Sequence, residues 1–539
     1  MKKAAILTIF LFVAGSLFPQ IHNAIAAGDP VLEDIRYVSL ESGIAFLSFS
    51  PPLSPHEVKI FLDLVDDNNL SQAGIEAYQR ILKRLSPNLS PLSWSDGKIF
   101  AFSFNIQAAL EGKVRFNKDV SWEEDLANVS PILSLPLQFF FSKYVQMYIE
   151  PNIAVKSRSH GDGLFYYNVP LDFGTQYWPF RSFASVGGGW WNFFIGRDHL
   201  YWGTGHTGSL VFSNASTYYD FAKLSLFSRH FKYSFTLNHM PLKLNNDLMP
   251  NLSSIDKDER KSVSRYFYLH RIDVNLFKKV SISLMEGIMA GNSPIEIRFL
   301  NPLVVFHALY AWTDYDRWDF NPSESNKEDG SMIGSFFSIE LNWNIIKPLS
   351  VYGQFVMNEL SIAGERKKEP NLPPNGLGYL AGINFTYPIK SWGSLYYLEF
   401  IYTDPYLYIL SSPFCSFIQQ DFHNYLIGHS RDTMSLTFGA KFFNNDTLSV
   451  SGSFSWVASG EHNSSLLKWD WARGKTRNEK TPSGVGENKL ILSIGSEWNP
   501  FFWLSLKAGI TGILSLNNNH IKDNTKAGGQ AFLSAGFKY

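Results

Sequence analysis

The sequence predicts an all-β transmembrane fold: an antiparallel outer-membrane β-barrel of about 16–18 strands with a short N-terminal helical element. Three observations carry this expectation. In the last nine residues, Ala531, Leu533, Ala535, Phe537 and Tyr539 alternate with Phe532, Ser534, Gly536 and Lys538, and the chain stops on an aromatic. This period of two suits a strand with one apolar side toward lipid and one small or polar side toward a lumen. The N-terminus reads as an export signal, and alternating runs of about ten residues recur along the whole chain.

At the N-terminus, Lys2 and Lys3 precede an apolar run from Ala4 to Phe18, followed by small residues at Ala24, Ala26 and Ala27. The run is shorter than the ~20 residues that cross a bilayer as a helix. Residues 1–26 are therefore expected to be a signal peptide, cleaved after Ala26 or Ala27. Cys415, the single cysteine, lies far from that point, which excludes an acylated N-terminus there and any internal disulfide. No later segment reads as a transmembrane helix, so an exported chain of this kind is either soluble or a closed barrel that satisfies its own backbone in lipid.

Residues 27–98 are expected to form a periplasmic or plugging segment with two helices. Val58, Ile60, Phe61, Leu62 and Leu64 recur at helical spacing, followed by Ile75, Tyr78, Ile81, Leu82 and Leu85. Ser54-Pro55 and Ser71 supply the start signals.

Residues 99–539 are expected to be the barrel. Met434 to Phe442 alternate apolar with small or polar residues, Asn444 to Asp446 turn the chain, and Leu448 to Trp456 alternate with Thr447, Ser449, Ser451, Ser453 and Ser455. This is a long hairpin. Similar runs occur at 100–116, 143–156, 183–196, 221–229, 231–240, 264–276, 279–290, 335–345, 348–358, 377–388, 393–403, 487–498, 501–514 and 528–539. Turns such as Lys347-Pro348 and Asn499-Pro500 are short, whereas Pro241–Ser262, Trp312–Gly330, Gly364–Gly376 and Ser459–Gly486 are long and polar. That asymmetry places the long loops outside the cell.

Composition agrees. Aromatics make up 16% of the chain while mean hydropathy is only −0.10, as expected where one strand face is apolar and the other polar. A net charge of −1 and a pI near 6.9 give no electrostatic basis for binding nucleic acid.

The segment Gly196 to Asn214 reads G-R-D-H-L-Y-W-G-T-G-H-T-G-S-L-V-F-S-N. Its glycines at 203, 205 and 208 allow close backbone approach, so the chain can fold inward or bulge after the preceding strand. Arg197, Tyr201, Trp202, His206 and Asn214 would then project into a confined polar space. Aromatic faces against sugar C–H groups, with Arg and Asn bonded to hydroxyls, suit a glycan. Taken singly, the same residues would sooner serve as a lumenal hydrogen-bond network that stiffens the barrel.

Through Gly196, Arg197, Trp202, Gly203, Gly205, Ser209, Leu210, Ser213 and Asn214, this segment resembles the signature of the Wzi-type capsule-assembly barrels. His270-Arg271-Ile272-Asp273, Glu286 and Asn301-Pro302-Leu303 follow in the family's order. Thr204 stands where the family has proline, and Ser216 to Asp220 lack a second expected proline. The resemblance implies an outer-membrane barrel with N-terminal helices that binds surface polysaccharide.

Other motifs carry less. Gly203 to Ser209 lacks the lysine and the strand-loop-helix context of a phosphate loop. Asp314, Asp316 and Asp319 have Arg317 among them and no closing glutamate, so a solvated loop is preferred to a calcium site. His199, His206 and His270 have no nucleophile elbow to serve, and His270 and Asp273 are expected to belong to the lumenal wall beside Arg271.

The expected function is thus non-enzymatic, without cofactor or metal: binding or organising surface polysaccharide, with Arg197, Tyr201, Trp202, His206 and Asn214 as contacts. Expected partners besides the polysaccharide are outer-membrane lipid and the barrel-assembly machinery, engaged through the strand ending at Tyr539. The alternative is a porin for passive diffusion of small solutes. An adhesin working through Trp312–Gly330 and Ser459–Gly486 is a third reading.

Overall fold

The computed structural model describes residues 22–86, 92–96, 99–122, 130–155, 164–213, 218–243, 262–291, 293–307, 333–360, 374–410, 414–420, 424–444, 447–462 and 479–539. Eighteen antiparallel strands close into a barrel. They are β1 (Phe100–Phe104 and Gln107–Arg115), β2 (Leu133–Ser134 and Leu137–Phe141), β3 (Val145–Val155), β4 (Phe180–Gly187), β5 (Trp191–Asp198) and β6 (Tyr219–Phe227). Next come β7 (Phe231–His239), β8 (Arg265–Leu276), β9 (Val280–Gly291), β10 (Ile333–Ile346), β11 (Leu349–Glu359) and β12 (Gly376–Thr386). The circuit is completed by β13 (Gly393–Thr403), β14 (Thr433–Asn444), β15 (Leu448–Ser459), β16 (Glu487–Phe501), β17 (Leu504–Leu516) and β18 (Lys526–Lys538). Each strand pairs with the next, and β18 closes on β1 from Gln530 opposite Arg115 to Lys538 opposite Gln107.

The strand pattern departs from the sequence expectation in three places. The run expected at 183–196 is two strands, β4 and β5, because Gly188 and Gly189 turn the chain between them. Strand β2 was not expected, since Pro136 and the run Phe139 to Phe141 hide its alternation. Asn499-Pro500, expected as a turn, lies within β16, where the register with β17 shifts between Trp498 and Phe501.

Alternation works as the physics requires. Along β11, Ser350, Tyr352, Gln354, Val356 and Asn358 are buried in the lumen. Along β16, Leu490, Leu492, Ile494 and Trp498 are exposed on the outer surface. Inward and outward residues exchange at every step because the side-chain period is two.

Three helices, α1 (Val31–Ser42), α2 (Pro55–Leu62) and α3 (Gln72–Leu85), form a cap with a small core of its own, including Ile25, Ile35, Val38, Phe46, Phe61, Ala77 and Ile81. Ser54 and Glu57 make a capping box at the start of α2. The Ser71 hydroxyl accepts from the Gly74 N–H at 3.1 Å at the start of α3. These are the two helices the start signals foretell. Helix α1 is additional: it has Pro30 as N-cap, without a side-chain cap bond. It is tied to α3 by Glu41, which accepts from the Ser71 N–H and hydroxyl at 3.0 and 2.6 Å, and by Arg80 paired with Asp34 at 2.6 Å.

The cap sits at the end of the barrel where the strand turns are short. The Ala45 N–H donates to the Lys278 carbonyl at 2.8 Å, and the His22 N–H donates to the Lys143 carbonyl at 3.1 Å. Tyr37 meets the Phe443 ring edge-on at 4.9 Å. The strip from His22 to Ala27 belongs to this packing: Ile25 pairs with Leu53, the Ala24 N–H donates to Gln146 at 2.8 Å, and the His22 ring bonds Ser185 at 2.7 Å. A chain cut after Ala26 or Ala27 would lack these contacts.

Between α1 and α2, residues 44–54 leave the cap and enter the lumen. There they meet an inward hairpin, residues 199–213, and a connection after β13 that buries Leu407, Tyr408, Phe417, Ile418 and Ile427 in the same cluster as Trp202 and Leu210. The side of the lumen bounded by β4 to β13 is therefore filled. The opposite wall, β14 to β18, stays polar and more open: Ser451 is exposed, and Glu497 and Lys507 pair at 3.5 Å with side chains 41% and 50% exposed.

Candidate functional site

The inward hairpin begins at a residue that must be glycine. Gly196 has φ +145°, and a Cβ there would lie 2.3 Å from the Ser182 carbonyl oxygen and 2.5 Å from the Phe183 Cα. The chain leaves the wall two residues later. Trp202 and Phe212 pair across the hairpin, with the Trp202 N–H donating to the Phe212 carbonyl at 3.1 Å.

Trp202 is fully buried. Its indole N–H donates to the Pro51 carbonyl at 2.9 Å, which ties the hairpin to the strap from the cap. Lys223 and Arg271 lie 5.1 and 5.7 Å from its ring, an arrangement in which two cations share one π-face system. Gly203 extends the tie by donating to the Phe49 carbonyl at 3.0 Å.

Below the ring is a buried charge cluster. Lys223 donates to the carbonyls of Ser50 and Pro52, the latter at 3.0 Å, while Lys232 pairs with Glu57 and bonds the Ser50 hydroxyl at 3.1 Å. Arg271 bonds Asp273 at 2.8 Å and Glu340 at 3.2 Å. Three cations thus face three carboxylates, and all six residues are buried. Burial of charge is tolerable only with such pairing.

The tip of the hairpin is fastened as tightly. Tyr201 donates to the carbonyls of Gly205 and Gly208 at 2.8 and 2.9 Å. His206 stacks on Tyr397 with ring centroids 4.1 Å apart, lies 2.7 Å from Asn384 Oδ1, and receives the Arg36 guanidinium at 2.6 Å. Burial, and then the Arg36 charge, hold the His206 imidazole well below its ordinary pKa, so it is neutral. Glu399 accepts from the His206 and Thr207 N–H groups, both at 2.8 Å, and from the Tyr352 hydroxyl at 2.8 Å.

The five residues singled out from sequence are therefore not one cluster. Tyr201, Trp202 and His206 are brought together inside the lumen and are occupied by internal bonds, as the stiffening network described above requires. Arg197 does not project inward: it faces out of the barrel, where it forms a two-pronged pair with Asp220 at 2.7 Å and lies 4.6 Å from the Phe180 ring. Counting two by two from buried Asn192 and Phe194 puts position 197 on the outer face. Asn214 lies outside the described residues, as do Asp314, Asp316 and Asp319. His270 also faces outward, whereas Arg271 and Asp273 face the lumen as expected.

At the mouth, sequence reasoning weighed His199 only as a catalytic histidine and did not single out Tyr218. The His199 and Tyr218 rings lie 4.8 Å apart above Asp198, which is buried and paired with Arg181 at 2.7 Å. Burial, with Glu150 and Tyr177 nearby, pushes the Tyr218 phenol up to about 12. Neither His199 nor Tyr218 stands in a strand, so no periodicity marks them.

This combination, a closed barrel with a helical cap at its short-turn end and an inward hairpin, can be compared with known structures. Wzi of Escherichia coli, described as an outer-membrane protein involved in group 1 capsule assembly and a carbohydrate-binding β-barrel, superposes with a TM-score of 0.57 over 95% of this chain and 99% of its own, at 14% identity. The chain has the Wzi fold. OprD and OccK3 (OpdO) of Pseudomonas aeruginosa are more distant: TM-scores are 0.41 and 0.40, identities 8% and 9%, with 81% of this chain and 95% of theirs covered in each case. No protein-family model and no curated protein sequence matches the chain. The fold places the protein in an outer membrane.

Proposed function

We propose that the protein binds or organises surface polysaccharide at the outer membrane and catalyses no reaction. The observation that supports this reading best is the filled side of the lumen, where strap, hairpin and wall are held by the buried charge cluster and by the Trp202 bond to Pro51. Such a pinned interior suits a rigid platform for a ligand that stays outside better than it suits a pore. Sugar contacts would come from the mouth, where Tyr218 and His199 present ring faces and hydrogen-bonding groups. Tyr201, Trp202 and His206 would hold that platform from beneath, with Arg197 at the outer rim. The strand ending at Tyr539 would engage the barrel-assembly machinery.

The porin reading keeps one favourable feature, the polar wall of β14 to β18 with its exposed Glu497–Lys507 pair. Two measurements on the refolded protein separate the readings. Immobilised protein is tested against purified surface polysaccharides, with Tyr218→Ala compared to wild type, and single-channel conductance is recorded in planar bilayers. Saturable binding lost in Tyr218→Ala, with a silent bilayer, is the expected result. Large steady openings without polysaccharide binding would replace this function with diffusion.

A further inference from the structure

The described part of the connection that follows β9 does not rise away from the barrel. Residues 293–307, with a 3-10 turn at Ile297–Leu300, fold back and lie against the outside of the wall. Beneath them, the alternation rule of a membrane-facing surface is broken. His270 on β8 and Glu286 on β9 point outward, paired across the two strands, and Glu286 is the seventh of the twelve residues Val280–Gly291. A bare carboxylate and imidazole at that height would face lipid, where ionisable groups are costly.

The flap covers them group by group. Glu286 accepts from the N–H groups of Phe306 and His307 at 2.9 and 2.7 Å. Phe306 meets the His270 ring edge-on at 4.3 Å, and His270 Nδ1 bonds the Tyr233 hydroxyl at 2.8 Å. Phe299 packs on Tyr268 at 5.2 Å, while the Tyr268 hydroxyl accepts from the Glu296 N–H at 2.9 Å. Phe299, Phe306, Tyr268, Ile288 and Ile333 form a core on the outer side of the barrel.

The far face of the flap is the informative one. Ile297 is 81% exposed, Leu303 89% and Val305 59%. Water would not favour such a face. It continues, at the same side of the wall, the exposed apolar band formed by Ile272 and Leu284 on the strands beneath. We infer that Ile297, Leu303 and Val305 enter the acyl chains of the outer leaflet, so that the flap is an external wedge that anchors the barrel and shields the His270–Glu286 seam. The occupant is lipid because the face joins a band that a membrane barrel already gives to lipid.

The test uses full-length protein bearing Leu303→Cys or, separately, Ile297→Cys, each labelled with an environment-sensitive fluorophore and refolded into phosphatidylcholine vesicles with or without brominated acyl chains. Cys415 is buried, and unmodified protein carried through labelling measures its background. Both positions are exposed, so neither change removes a folding contact. The expected result is blue-shifted emission, strong quenching by the brominated lipid and little by iodide. Iodide quenching with none from brominated lipid would overturn the inference and put the flap in water. Protection from both quenchers, with sedimentation as a dimer, would overturn it in favour of a second copy of the chain.

Discussion

Replacing Glu57 with Gln removes one charge from the buried six and leaves Lys232 with neutral acceptors only, the Ser50 hydroxyl 3.1 Å away among them, and no counter-charge. Lys223 cannot compensate, because its partners are the carbonyls of Ser50 and Pro52 and the face of Trp202. Breaking a buried ion pair by removing one partner costs about 3–5 kcal/mol, since the surviving charge keeps its desolvation penalty. The barrel wall has hundreds of residues of continuous strand pairing and will not unfold for this loss. What it destabilises is the seating of the strap, so the population with strap and cap released rises by about 10² to 10³ or more. The assay is limited proteolysis of the refolded protein by trypsin, with Lys59, Lys83 and Arg84 of the cap as reporters and heat-modified gel mobility as the check that the barrel is intact. Glu57→Leu combined with Lys232→Met, which removes both charges, restores protection. Wild-type protection in Glu57→Gln, or no recovery in the double variant, would refute the claim that this pair fastens the cap.

Three further outcomes are expected. Trp202→Ala empties a fully buried site and releases the Pro51 carbonyl, at a cost of about 3–5 kcal/mol, whereas Trp202→Phe forfeits chiefly the indole bond, about 1–3 kcal/mol; chemical denaturation followed by proteolysis of the cap orders the two. Burial, and then the charge of His56, lower the His22 pKa to about 4 from its ordinary 6.5. Because the folded form disfavours the proton, this contribution to seating is complete above pH 6.5 and is lost as pH falls toward 4; protease sensitivity of the cap should rise over that window, and less steeply in His22→Gln. N-terminal sequencing of protein recovered from outer membranes should begin at or before His22, because Ile25 and Ala24 are built into the cap; a start at Ala27 or Gly28 would show that the cap holds without them.

The barrel was legible because its code is local. A hairpin such as Thr433–Asn444 with Leu448–Ser459 shows its faces in every pair of residues. Strand β2 escaped for the opposite reason, since three consecutive phenylalanines carry no period. The helices over 55–62 and 72–85 were legible through Ser54-Pro55 and Ser71, whereas α1 begins without a side-chain cap. For the site, the glycines marked the inward fold correctly, and Gly196 is held to its place by contact with β4. The direction of Arg197 was not legible, because whether a residue at a strand end points in or out depends on where the strand stops. Partners such as Pro51 for Trp202 and Arg36 for His206 lie 151 and 170 residues away, and no local pattern announces them.

The strap also constrains the order in which this molecule can be put together. Its bonds reach Gly203 on the inward hairpin and Lys223, Lys232, Asn275 and Ser281 on the inner wall, yet it is translated before any of them. The cap can gather its own core while the wall is still unpaired, and the sheet then has a shaped object to curl around. β18 can then meet β1. A wall that sealed first would have to admit residues 44–54 through an end already ringed by tight turns. The element that fills one side of the lumen in the finished protein is thus also the mandrel on which that side is wound.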